Sequence, residues 1–294
     1  MPSLLTAVKS KMFIAAHRKA RGMLDGEYAS VFRGHSLDFD DLRAYVPGDA
    51  VRDIDWKASA RVGAPLIKRY VATRRQQVLF VADTGRNMAA LAKGGESKKD
   101  IAVMVIGVIG TLALNHGDSV SLIHGDERGT QAMPAQGTES HLETLLRRVD
   151  STAVLTAGQS SLSAQLEYAA SHVKRHTLMV VLADDEQINA RSAKVLRRLA
   201  AQHEILWIHI EDAELAGVDA LAGVSYDVAD FSPVLSALAG DPELARDYAY
   251  AVAERSNRRS EVLRSNRIAM AGIGHTEQVM GRIFALLERH RRAR

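Results

Sequence analysis

Three short, nearly unbroken apolar runs constrain this chain more than any other feature: residues 77–82 (QVLFVA), 177–183 (TLMVVLA) and 203–210 (HEILWIHI). A run that is apolar at successive rather than alternate positions suits a strand covered on both faces. The first two end in aspartate, at Asp83 and Asp184, and a fourth run of similar kind lies at 119–124 (SVSLIH). Between and around them, residues 98–115, 139–149, 161–174 and 190–202 have helical spacing. Strands alternating with helices predict an α/β fold, a mainly parallel sheet with helices on both faces. Two later helices, at 242–265 and 277–290, flank a small strand at 267–271. Upstream, residues 4–20 read as a helix, and residues 21–70 form a turn- and charge-rich stretch that suits a small module of turns and strands. The expected division is 1–75 for the N-terminal helix and module, and 76–294 for the α/β domain with its C-terminal helices.

Composition narrows the function classes. Of 294 residues, 47% are apolar, enough for a sizeable core, which excludes a disordered or fibrous chain. Cysteine is absent, which removes disulfide frameworks, thiolate metal sites and cysteine nucleophiles together. The longest apolar run, residues 101–114, is broken by Gly107, Gly110 and Thr111 and falls short of the roughly 20 residues a membrane span needs. It predicts a buried helix. Basic residues interrupt the first twenty-five positions, so no signal-peptide core is read there. A soluble, cytoplasmic protein is the expectation. Residues 242–294 hold eleven arginines against six acids, ending in Arg289, Arg291, Arg292 and Arg294. Such a tail serves a helix C-terminus and solubility, or else an acidic surface or nucleic acid.

In a parallel sheet the ligand crevice lies beyond the carboxyl ends of the strands. Asp83 opens the loop DTGRNM there, Asp184 and Asp185 follow a second strand, and Ser160 lies in a third loop ahead of a helix. Hard oxygen donors from three loops are what magnesium accepts. Capping is the other reading, since aspartate and serine also cap helices. No phosphate loop exists, because the nearest candidate, AKGGESKK, has the wrong spacing; ATP hydrolysis would have to come from a partner.

The segment RGHSLDFDDLRAYVPGDAVRDIDWKASARVGAPLIKRY, followed by QQVLFVADTGRNM, resembles the DUF58 proteins, bacterial chains with a von Willebrand factor A (vWA)-like domain. The match runs through Gly34, Asp38, Phe39, Arg43, Tyr45, Gly48, Asp49, Arg52, Ile54, Asp55, Trp56, Lys57, Ser59, Ala60 and Arg61. The resemblance implies a vWA-like, Rossmann-type sheet and partnership with a MoxR-type AAA+ ATPase in assembling or activating other proteins. It also implies a metal-ion-dependent adhesion site, Asp-x-Ser-x-Ser with a threonine and an aspartate from two further loops. Onto that pattern fall Asp83, Gly85 and Asn87 for the serines, Ser160 near the threonine, and Asp184 near the last aspartate. Glycine brings no oxygen, Asn87 only a neutral one, and Arg86 adds a permanent cation. The expectation is a degenerate metal set of Asp83, Asn87, Ser160 and Asp184 that binds magnesium weakly or not at all.

Read without the family, the alternating charges of residues 43–61 around Pro47-Gly48-Asp49 form either an ion-pair network that holds the module or a recognition surface anchored by Trp56 and Tyr45. The expected function is a non-enzymatic binding or adaptor protein, with Arg86, Asp185, Arg52 and Trp56 as partner-binding residues and no membrane partner. Two other classes stand beside it. One is a magnesium-dependent, phosphatase-like hydrolase using Asp83, against which stands glycine at position 85, where that chemistry needs a second acid. The other is a binder of nucleic acid or acidic surfaces through the tail.

Overall fold

The computed structural model describes residues 3–13, 26, 28, 41–47, 49–51, 54–69, 76–184, 188–213, 228 and 242–292. Their helices are α1 (Leu4–Phe13), α2 (Trp56–Val62), α3 (Lys98–Asn115), α4 (Glu139–Thr152), α5 (Leu162–His172), α6 (Ala190–Ala200), α7 (Pro242–Ser265) and α8 (Val279–Arg292). The strands are β1 (Asp41–Ala44), β2 (Leu66–Arg69), β3 (Gln77–Asp83), β4 (Ser119–Asp126), β5 (Gly129–Gln136), β6 (Leu178–Ala183), β7 (Glu204–Ile210) and β8 (Ala269–Ile273).

Six strands form one sheet in the order β5-β4-β3-β6-β7-β8. All pairings are parallel except the β4–β5 hairpin. The chain order reverses between β3 and β6, which makes their carboxyl ends the switch point of a doubly wound sheet. The α/β fold with a mainly parallel sheet and helices on both faces is therefore the observed one. Alternation divides β3 cleanly: Val78, Phe80 and Ala82 pack in one core with α1, α3, α4 and α8, while Leu79 and Val81 pack in the other with α5 and α6.

Helix α3 is buried at every position of 101–113, as its unbroken apolar run predicts. Each fully buried Val, Leu or Ile there stabilises by about 1.5–3 kcal/mol. Part of its cover is α1. Gly107 lets that helix approach, since a Cβ at this glycine would stand 2.8 Å from Val8. Glu143 on α4 accepts hydrogen bonds from Leu4 N, Leu5 N and Ser3 Oγ and so caps α1. Thus α1 packs into the α/β body, and a boundary at residue 75 would separate it from its contacts.

The small module is an antiparallel β1–β2 ladder with α2 between its strands. Asp55 caps α2 by accepting from Lys57 N and Ala58 N, and Gly63 ends it at φ 76°, a conformation that favours glycine. Among the described residues no helix is long and apolar enough to cross a membrane.

Candidate functional site at the strand ends

Asp83 closes β3, and Asp184 follows β6, its neighbour in the ladder. The third loop joins them through backbone: Arg86 N donates to Gly158 O at 2.9 Å, and Glu127 N donates to Gln159 O at 2.9 Å. Gly85 lies so near Ser160 that a Cβ there would stand 2.5 Å from Ser160 Cα. This close approach is a physical reason for glycine at position 85. The structure therefore brings Asp83, Asn87 and Ser160 to one edge of the sheet, with Asp184 on the adjoining strand.

Their side chains keep different company. Asp83 is fully buried, and its Oδ1 accepts from Gly85 N at 2.8 Å, an Asx turn. Asn87 Oδ1 and Ser160 Oγ are buried without a hydrogen-bond partner among the described residues, and Ser161, at the N-cap of α5, makes no side-chain cap bond there. Asp184 is directed elsewhere. It continues the parity of Leu178, Val180 and Leu182, the face covered by α3, whereas Asp83 continues that of Leu79 and Val81. On the α3 face Lys98 Nζ lies 3.4 Å from Asp184 Oδ2 and also pairs with Asp212.

Two unpartnered oxygens beside a carboxylate have the character a hard cation accepts. The rest does not fit a full divalent-ion site. The last aspartate is matched to an ammonium, position 85 offers no oxygen, and the Arg86 guanidinium lies in the same loop, 3.9 Å from Glu127. Among the described residues no three acidic or histidine side chains converge to hold a metal.

The loops also determine what a partner can touch. Residues 91–96 are laced over the ends of β7 and β8 by bonds from Lys93 N to Glu211 O and from Gly94 N to Gly274 O. Asp83 and Asp184 are themselves buried, and the Arg86 side chain is 16% exposed. Leu91 at 57%, Leu155 at 54%, and the carboxylates of Glu127 and Asp212 face outward. Along this loop residues 83–85 and Met88 are buried, while Arg86 and Asn87 are half-buried.

Beside Thr84 lies a cavity of about 280 Å³ lined in part by His124, Asp126, Arg128 and Thr156. Burial, helped by the Arg148 charge, pushes the His124 imidazole down to about 4, so the ring is neutral at pH 7.

Arg52 and Asp185 lie outside the described residues. Trp56 is 66% exposed at the first turn of α2, and Arg43 pairs with Asp49 at 2.6 Å within the module. Lys98 lies in the rejected AKGGESKK stretch and Asp212 in no motif, so neither stands out in the sequence. One signal was available. A lysine at the first position of a buried helix opposes the macrodipole and needs a partner.

Fold and edge together define a doubly wound α/β domain with a loop-built strand-end rim, carrying a small hairpin module. The family described as "Protein of unknown function DUF58" matches residues 41–230, and the chain belongs to it. Two uncharacterized mycobacterial proteins, Rv1480 of Mycobacterium tuberculosis and Mb1516 of Mycobacterium bovis, are each 27% identical over 269 residues, covering 90% of this chain and 82% of theirs. Among solved structures, an aerotolerance-related membrane protein from Bacteroides fragilis aligns over 72% of this chain and 98% of its own, at 12% identity and TM-score 0.46. A von Willebrand factor type A protein from Catenulispora acidiphila aligns over 74% of this chain and 42% of its own, at 11% identity and TM-score 0.42.

Proposed function

We propose that this chain is a non-enzymatic binding protein, an adaptor whose strand-end rim docks a MoxR-type AAA+ ATPase in the assembly or activation of other proteins. The observation that carries the reading is the outward pair Leu91 and Leu155 on two rim loops, set beside the Arg86–Glu127 pair and Asp212. Loops on a rigid sheet are where such folds carry binding, and apolar groups beside charges suit a protein partner. The same edge speaks against a carboxylate nucleophile, since Asp83 is sealed and hydrogen-bonded by its own loop. The basic tail is spent partly on its own helix: Arg292 pairs with Glu288 at 2.5 Å, and Arg289 donates to Ala285 O. That weakens the nucleic-acid reading.

The test is binding of a purified MoxR-type ATPase from the same host to the wild-type chain and to Leu91→Asp and Leu155→Asp, with and without ATP. The proposal expects each substitution to weaken binding by about tenfold or more, the scale of a hot-spot loss, with unchanged melting. Equal binding by all three chains would refute the docking rim.

A further inference from the structure

Part of the misfit between this rim and a divalent-ion site lies in one buried side chain, Lys98. Lys98 is 2% exposed, at the first turn of α3, where the helix dipole repels a cation. A charge so deep is expensive unless it is paired. It has two partners: Asp184, 3% exposed, at 3.4 Å, and Asp212, whose side chain is 47% exposed. Burial alone would lower the ammonium's pKa, but the Asp184 and Asp212 charges outweigh it and hold the pKa above its ordinary value. The neighbouring Lys99 turns away to Asp150, at 2.9 Å. The aspartate that the adhesion-site pattern would lend to magnesium is therefore neutralised from within the chain. Asp83 lies on the opposite parity, where its Oδ1 accepts from Gly85 N.

We propose that Lys98 is a built-in cation that takes the place of a divalent ion at this edge, so that the rim is assembled and holds its shape without metal. The consequence for partner binding, that docking needs no ion held by this chain, rests on the adaptor reading above. The exchange of ammonium for metal does not.

Manganese and magnesium are titrated calorimetrically into the full chain, wild type and Lys98→Met, and both are melted in magnesium and in EDTA. For the wild type the proposal expects no saturable heat and the same melting temperature in both media. Lys98→Met removes the ammonium that pairs with Asp184 and Asp212. It should melt lower in EDTA, recover on adding magnesium, and bind manganese at least about tenfold more tightly than the wild type does. Saturable metal binding by the wild type, or a fall in its melting temperature in EDTA, overturns the proposal. So does a folded Lys98→Met that is as indifferent to metal as the wild type.

If Lys98→Met does not fold, Lys98→Arg keeps the charge, and the EDTA melts of the wild type and Lys98→Arg decide: indifference in both supports the built-in cation, and sensitivity in either overturns it. ATPase binding is a separate readout. An EDTA-sensitive wild type whose ATPase binding still falls in Leu91→Asp sinks the lysine proposal alone. A metal-indifferent wild type whose ATPase binding is untouched by rim substitutions sinks the adaptor reading alone.

Discussion

The α/β body and the hairpin module spend their apolar residues in opposite ways. In the body every residue of 101–113 is buried, whereas the module leaves Val46, Val51, Trp56 and Val62 more than half exposed. Polar groups divide similarly. In the body Lys98, Asp83 and Asp184 are enclosed and matched to partners inside the fold, while the module pairs Arg43 with Asp49 at its surface. The body holds the molecule together, and substitutions at the exposed positions of the module should cost little stability.

The largest test of this contrast lies in the buried helix. Leu112→Ala should cost about 3 kcal/mol of unfolding free energy in urea, since a fully buried leucine leaves a cavity that the packed sheet cannot close. A loss under about 1 kcal/mol would mean that α3 is not the rigid centre.

A smaller effect comes with pH. The folded-state pKa of His124, about 4, lies below its unfolded value near 6.5. Its contribution is complete above pH 6.5 and is lost as the pH falls toward 4, because the unfolded chain takes up the proton first. His203 and His290 are also lowered by burial and add in the same direction. Melting temperature should therefore drop between pH 7 and pH 5, and His124→Asn should drop less steeply. An identical slope in the variant would show that the ring is not buried neutral.

The smallest effect belongs to the module. Trp56→Ala should change stability by no more than about 0.5 kcal/mol, as a largely exposed side chain does. A cost equal to that of Leu112→Ala would erase the distinction between the two regions.

Legibility in the sequence followed burial. Strands β3, β6 and β7 are covered on both faces, so nearly every residue is apolar and the runs stand out. Strand β5 escaped notice because it is an exposed edge, GTQAMPAQ, with polar residues on both faces and a proline that only an edge tolerates. At the rim, the strand-closing aspartates were legible because strand ends are. That Asp184 belongs to Lys98 was not, since it depends on strand parity and on the reach of a side chain 86 residues away. At the start of the last helix Thr276 bonds Glu96, and His275 accepts from Glu277 N. Short polar residues at a turn offer several partners of equal chemistry, and only packing chooses among them.

Hydrogen–deuterium exchange of the full chain, alone and saturated with the purified MoxR-type ATPase, tests the docking rim most directly. The account predicts slowed exchange in residues 84–96 and 153–161, with residues 41–69 unchanged. Protection confined to residues 41–69, with the strand-end loops exchanging as in the free chain, would contradict it.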